Sequence, residues 1–218
     1  MKTALVIGAT GLVGRELVQQ LLQDDRFDKV IVFVRRTTGI SQPKLQEHLI
    51  DFDAPESWQH LVKGDVLFSA LGTTIKQAGS QTAQYKIDYT YQYNFAKAAA
   101  LNGVSTYVLI SSAGVNAASR IFYSRMKGEL EEAVKMLAIP HIHIIQPGLL
   151  TGDRQEFRLG EKIAEPIVAA ITVLPPLRKY RPIHARTVAR AMINAAFDTT
   201  GPVHTHTLEG VFKLARKR

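Results

Sequence analysis

Ala4-Leu5-Val6-Ile7-Gly8-Ala9-Thr10-Gly11-Leu12-Val13-Gly14 passes from an apolar run into a glycine turn and from the turn into a helical pattern. An unbroken apolar run that ends at a turn residue reads as a strand covered on both faces, as in parallel sheets. After the turn, Leu12, Val13, Leu17, Val18, Leu21 and Leu22 recur at helical spacing, and Val30 to Val34 is again apolar throughout. Strand, helix and strand in this order make one βαβ unit.

The same alternation continues outward. Short β-rich runs at His48 to Phe52, Val66 to Leu71, Tyr107 to Ile110 and Ile142 to Ile145 predict further strands. A long helix is predicted over Gln81 to Leu101, stopped by Asn102-Gly103, and another from Tyr123 to Leu137, ending before Pro140. Beyond Pro147-Gly148, prolines 166, 175, 176 and 182 break the regularity, so residues 150–185 are read as a small C-terminal substrate-side lobe. Val188 to Phe197 reads as a helix returning to the sheet, and Thr205 to Phe212 as a late strand or turn. The expected fold is α/β: residues 1–218 as one domain, a doubly wound, mostly parallel sheet with helices on both faces.

Composition narrows the classes. With 46% hydrophobic and 21% charged residues, the chain can bury a core, which excludes disordered and low-complexity proteins. The absence of cysteine excludes disulfides, thiolate metal sites and thiol nucleophiles, and fits a reducing compartment. No apolar run, including Ile167 to Leu174, approaches the ~20 residues of a membrane span. Met1-Lys2-Thr3 leads straight into the first strand without the layout of a signal peptide, so the expectation is a cytoplasmic protein with no membrane partner. The net charge is +8, but Lys and Arg are spread along the chain, densest at Lys213, Arg216, Lys217 and Arg218. That diffuse pattern argues against nucleic acid and fits small ligands that carry phosphate.

The turn itself has the context of a dinucleotide site, between a strand and a helix. Gly8 permits the tight turn, Gly11 lets the main chain approach a pyrophosphate at the helix N-terminus, and Gly14 lets helix pack on strand; Thr10, Leu12 and Val13 share that surface. The second strand ends in Arg35-Arg36 where an NAD-preferring site carries an acidic residue for the ribose. A guanidinium holds a 2′-phosphate as a fork, so NADP(H) is favoured over NAD(H), with Arg35 and Arg36 as the candidates, Arg35 the better placed, and a solvated loop residue as the competing reading for one of the two. Asp51-Phe52 and Leu71-Gly72-Thr73 stand at the carboxyl ends of predicted strands, where open α/β sheets bind ligands.

Tyr123 and Lys127 are four apart on a predicted helix and share a face, while Ser111-Ser112 end the preceding strand. A phenol ionising near pH ~10 serves as an acid-base group at neutral pH only beside a cation, which Lys127 supplies. A serine hydroxyl can hydrogen-bond a substrate oxygen as negative charge develops there. Taken alone, Tyr-x-x-x-Lys is a common surface pattern; the serines and the glycine turn give it weight.

These strings, with Pro147-Gly148, resemble a short-chain dehydrogenase/reductase over nearly the whole chain. Leu71-Gly72-Thr73-Thr74, Lys127-Gly128-Glu129 and Gly152-Asp153-Arg154-Gln155-Glu156-Phe157-Arg158 are similar to the compact, atypical members related to the Tat-interacting-protein oxidoreductases. The resemblance implies a Rossmann-like core, NADP(H), Tyr123 as acid-base group, Lys127 as its electrostatic partner, and Ser112, or else Ser111, orienting substrate. It also puts Ser111, Lys127, Pro147 and Gly148 against the cofactor and Asn94 near the proton path, although a helix-surface amide explains Asn94 equally well. The implied activity is NADP(H)-dependent oxidation or reduction of an alcohol or carbonyl on a small substrate. The alternatives are an NADP(H)-sensing regulatory or protein-interaction module without turnover, and an isomerase or dehydratase that recycles the cofactor. A homodimer or a protein partner is left open. The chain departs from the pattern in its glycine spacing, its short length, and Gln146 where relatives often carry arginine.

Three other groups of residues carry competing readings. His141 with His143, and His204 with His206, share strand faces, but without cysteine or acidic neighbours at ligand spacing they read as core or edge histidines, so no metal is expected. Arg154 and Arg158 either clamp an anionic substrate or pair with Asp153, Glu156 or Glu161. The segment with Leu208, Val211, Phe212 and Leu214 before the basic C-terminus reads as a solvated tail, with an acidic partner as the alternative.

Overall fold

The computed structural model of the chain describes residues 1–152 and 180–217. In chain order the elements are β1 (Lys2–Ile7), α1 (Leu12–Gln23), β2 (Phe27–Val34), β3 (Leu45–Leu49), α2 (Pro55–Trp58), β4 (Val66–Ser69), α3 (Ile75–Ala78), α4 (Gln81–Tyr85), α5 (Gln92–Leu101), β5 (Thr106–Ile110), α6 (Phe122–Lys135), β6 (His141–Gln146), β7 (Leu150–Thr151), β8 (Ile183–His184), α7 (Ala185–Ala195), β9 (Val203–Thr207) and α8 (Glu209–Arg216). One seven-stranded sheet runs in the order β3-β2-β1-β4-β5-β6-β9, and every neighbouring pair in it is parallel. β7 and β8 pair separately, also in parallel. The doubly wound, Rossmann-like α/β fold read from the sequence is the fold observed.

Helices bury apolar stripes on both faces of the sheet. On one face Val13, Leu17 and Leu21 of α1 meet Val188 and Met192 of α7 and Val211 and Leu214 of α8. On the other, Phe95 of α5 and Leu130 and Val134 of α6 pack with Trp58. The sheet order reverses between β1 and β4, so the turns leaving those two strands frame a crevice at their carboxyl ends.

Close main-chain packing fixes that crevice. Gly8 has φ of +80°, and a Cβ there would sit 2.4 Å from the main chain of Ala70. A Cβ on Gly14 would sit 2.0 Å from the carbonyl oxygen of Gly8. No side chain at either position is compatible with this geometry.

The chain departs from the sequence reading in three places. β3 lies three residues earlier than His48 to Phe52: it is an edge strand of half-exposed residues, and Phe52 belongs to the turn after it, buried in the core. The long helix from Gln81 is interrupted by a π-helical stretch over Lys86–Tyr91 between α4 and α5. After β9 the chain forms α8, which sends Val211, Leu214 and Ala215 into the core. The reading of that segment as a solvated tail is therefore corrected: its apolar side chains are spaced to cover α7 and the sheet. Of the lobe over 150–185, residues 153–179 lie outside the described residues, and Arg154 and Arg158 with them. Among the described residues no helix is long and apolar enough to cross a membrane.

Candidate active site

A cleft of about 680 Å3 opens at the carboxyl ends of β1, β4, β5 and β6. Its walls bring together Gly11, Leu12 and Val13 from the first turn, Leu71, Gly72 and Thr73 after β4, and Ser111 and Ser112 after β5. Tyr123 and Lys127 of α6 and Pro147 and Gly148 after β6 complete it among the residues expected from the sequence. Leu149, Leu150 and Tyr180, which the sequence did not single out, and Leu208, which it placed in the tail, add an apolar end.

The first turn of α1 presents unclaimed donors. Gly11 is its N-cap, and no side chain caps it. The Gly11 N–H donates to the Gly8 carbonyl at 2.9 Å, which tightens the turn, and Arg15 Nε donates to the Thr10 carbonyl at 2.9 Å, which holds it from outside. With no cap from a side chain of the described residues, the N–H groups at the start of α1 can meet an anion in the crevice.

On the opposite wall, main-chain hydrogen bonds Ser111 N–H to Ile145 O and Ala113 N–H to Pro147 O hold the strand ends together. Ser111 is 7% exposed, and its Oγ has no hydrogen-bond partner among the described residues. A buried hydroxyl left unpaired on a cleft floor is a group poised for a ligand. Ser112 beside it is half-buried and Tyr123 is 41% exposed. Gly128 follows Lys127 because a Cβ there would come within 2.2 Å of Ala117 N, so the loop after Ser112 lies directly on α6.

Lys127 is buried, and its Nζ lies 3.3 Å from Oδ1 of Asp88, which is 1% exposed. Asp88 Oδ2 accepts the Thr73 N–H at 2.8 Å. Asp88 lines the cleft, and sequence reasoning missed it. Its signal was one carboxylate in a helix otherwise rich in Ala, Tyr and amides, but the π-helical stretch alters the register from which a face is read. Asn94, the residue expected in this part of the site, lies in α5 and is not among those lining the cleft. Gln146 donates through Nε2 to both oxygens of the buried Glu131, at 2.9 and 3.0 Å, which accounts for its amide.

The remaining expected residues stand outside the cleft lining. Gly8 and Gly14 act beneath it, and Thr10, Arg35, Arg36 and Asp51 are exposed at the ends of the β1, β2 and β3 turns. Phe52 packs on Tyr91 and Phe95. The loop after Arg36 is tied down by Glu47 of β3, which accepts from Thr37 Oγ1 at 2.6 Å, from Thr38 N–H at 3.0 Å and from Thr38 Oγ1. Those hydrogen bonds hold the Glu47 carboxyl below its usual range against the opposing effect of burial. Free N–H donors, a glycine cradle and an unpaired buried hydroxyl on one cleft fit a dinucleotide. A model of the NAD(P)H-binding family matches residues 8–198.

The chain belongs to the NAD(P)H-binding family. The Protein FMP52-1, mitochondrial, of Scheffersomyces stipitis is 34% identical to this member of the family over 200 residues, covering 89% of this chain and 88% of the relative. The Protein fmp52, mitochondrial, of Aspergillus fumigatus is 37% identical over 204 residues, covering 89% and 87%. Among solved structures, the Bordetella bronchiseptica enzyme WbmH in complex with NAD+ superposes with a TM-score of 0.71 at 16% identity, covering 95% of this chain and 76% of that one. A short-chain dehydrogenase/reductase superfamily protein of Agrobacterium tumefaciens with bound NAD gives 0.70 at 15%, covering 94% and 77%. The short-chain dehydrogenase/reductase architecture read from the sequence is thus the one this NAD(P)H-binding protein has. The expectation of a cytoplasmic location does not stand: curated relatives in these fungi, and in Candida albicans, are named as mitochondrial proteins.

Three histidines of β6 and β9 form a separate group. His143 of β6 is fully buried and stacks on His204 and His206 of β9, with ring centroids 5.4 and 5.8 Å away. Burial, with smaller effects from His206 and His204, pushes the His143 imidazole down to about 4, so it is neutral at pH 7. Among the described residues no cluster of His, Asp or Glu is placed to hold a metal ion.

Proposed function

We propose that this protein is an NADP(H)-dependent oxidoreductase that interconverts a carbonyl and an alcohol on a small substrate. The observation that carries the reading is the convergence of Tyr123, Lys127 and the Ser111-Ser112 strand end on the cleft entered by the N-terminus of α1. When bound, the nicotinamide supplies or accepts the hydride.

This chain's own residues do the rest. The first turn of α1 holds the pyrophosphate with main-chain N–H groups, and the turn after β4 runs beside the cofactor. Arg35, with Arg36, meets the 2′-phosphate, since no carboxylate ends β2 and Glu47 steadies the loop that follows. Ser112 or Ser111 donates a hydrogen bond to the substrate oxygen. Tyr123 gives its phenolic proton to that oxygen as the carbonyl carbon receives hydride, and takes a proton back in the oxidative direction. Lys127 stabilises the phenolate left behind.

Replacing Tyr123 with Phe tests the assignment in a screen of small aldehydes, ketones and alcohols with NADPH or NADP+. The expected result is turnover reduced at least about 100-fold with cofactor affinity nearly unchanged. Turnover equal to wild type removes Tyr123 from the mechanism.

A further inference from the structure

Resting on the reading of Tyr123 as the acid-base group, we propose that Asp88 is a positioning residue for proton transfer, acting through Lys127. By pairing with that lysine it fixes the ammonium on the cleft floor and sets how much positive charge reaches Tyr123.

Asp88 is held by several elements at once. Its Oδ1 lies 3.3 Å from Lys127 Nζ of α6, and its Oδ2 accepts from Thr73 N–H in the turn after β4. Its own carbonyl accepts from Gln92 Nε2 at 2.6 Å, and Gln92 Oε1 accepts from Ser69 Oγ of β4 at 2.7 Å. Gln84 Nε2 donates to the Thr73 carbonyl at 3.2 Å, tying the same turn to α4. All of Ser69, Gln84, Asp88, Gln92 and Lys127 are buried. Such a connected interior network holds one geometry, because breaking any member leaves a desolvated polar group. The π-helical stretch over Lys86–Tyr91 brings Asp88 to the cleft, and wide turns of this kind recur at functional sites.

The electrostatic consequence follows from charge counting. A lone ammonium acts on a neighbouring phenol as a full positive charge, whereas one with a carboxylate 3.3 Å away acts as a short dipole whose influence falls off faster. Asp88 therefore restrains the stabilisation that Lys127 gives the Tyr123 phenolate. Among the described residues, the other charged and titratable groups on this side include Tyr180 in the cleft lining, Glu129, which accepts from Tyr85 Oη at 3.1 Å, Tyr89 stacked on Tyr85, and Arg125, 3.8 Å from Glu129. They are common to every variant compared.

The test is Asp88→Asn, which removes the charge and keeps the shape. Two readouts are taken: the basic limb of the pH–rate profile, and the ultraviolet tyrosinate band isolated by subtracting the same titration in the Tyr123→Phe background. In Asp88→Asn both move to lower pH by about one unit, a tenfold change in proton concentration. Asp88→Glu, which restores the charge, brings them back toward wild type. If Asp88→Asn fails to fold, Asp88→Ser is the second neutral variant and carries the same expectation. A folded neutral variant with the band and the limb where wild type has them overturns the proposal and leaves Asp88 a structural residue. The band comparison needs no substrate, so it decides the effect of Asp88 even where surviving turnover in Tyr123→Phe has defeated the assignment of that tyrosine.

Discussion

On the α1 side of the cleft the surface is main chain, shaped by Gly8, Gly11 and Gly14, whereas on the α6 side it is side chain: Ser111, Ser112, Tyr123 and Lys127 with Asp88 behind them. The first wall works by the absence of atoms and the second by the placement of charge. They should therefore fail in opposite ways, the first when a methyl group is added and the second when an ion is removed. A recognition surface made of backbone suits a ligand part that never changes, such as a pyrophosphate. One made of side chains can tune the protonation of a reacting oxygen.

The largest effect should come from the charged wall. Lys127→Met removes the ammonium from a carboxylate that is 1% exposed, and should cost about 3–5 kcal/mol in urea unfolding at pH 7. The double variant Asp88→Leu/Lys127→Met should recover much of that loss; no recovery would mean that the two groups are not coupled. On the backbone wall, Gly14→Ala forces a Cβ to within 2.0 Å of a carbonyl oxygen and should cost about 3 kcal/mol and abolish nucleotide binding. Gly210→Ala in α8, with open space around it, should be neutral or slightly stabilising in the same assay. Equal costs for the two glycines would mean that close main-chain packing is not what shapes the backbone wall.

Away from the cleft, the histidine stack sets a pH dependence. His143 has its proton affinity lowered to about 4 in the folded chain, against an ordinary value near 6.5. Between those values the unfolded state binds a proton that the folded state excludes, so stability is full above about 6.5 and falls as the pH drops toward 4. Thermal melts between pH 7 and 5 should show a loss of about 2 kcal/mol, with a flatter slope in His143→Leu. A smaller loss is expected at the surface. Arg35→Ala should weaken NADPH about tenfold by calorimetry and leave NADH unchanged.

The sequence made the backbone wall legible and left the charged wall half read. Glycine spacing after a buried strand is a local signal, and Gly8 and Gly14 are where that signal puts them. Tyr123 and Lys127 were found because helical spacing relates them directly. Asp88 lies 39 positions from its lysine, on a helix whose period changes over Lys86–Tyr91, and pairing across elements leaves no mark in local periodicity. β3 was displaced by three residues because Ile50 and Phe52 are apolar, while the true edge strand, Leu45–Leu49, is half exposed. α8 was missed because its eight residues offer little more than two turns from which to read a period. Glu47 escaped notice because a lone acidic residue on an edge strand looks like any solvated side chain until the Thr37-Thr38 loop is seen folded onto it.

Calorimetric titration of the purified protein with NADPH, against NADH, tests the central claim most directly. The account predicts saturable binding of one NADPH per chain, tighter than NADH. Absence of binding by either nucleotide at millimolar concentration, a limit of about 4 kcal/mol, would contradict it, because that is too little to hold a working cofactor.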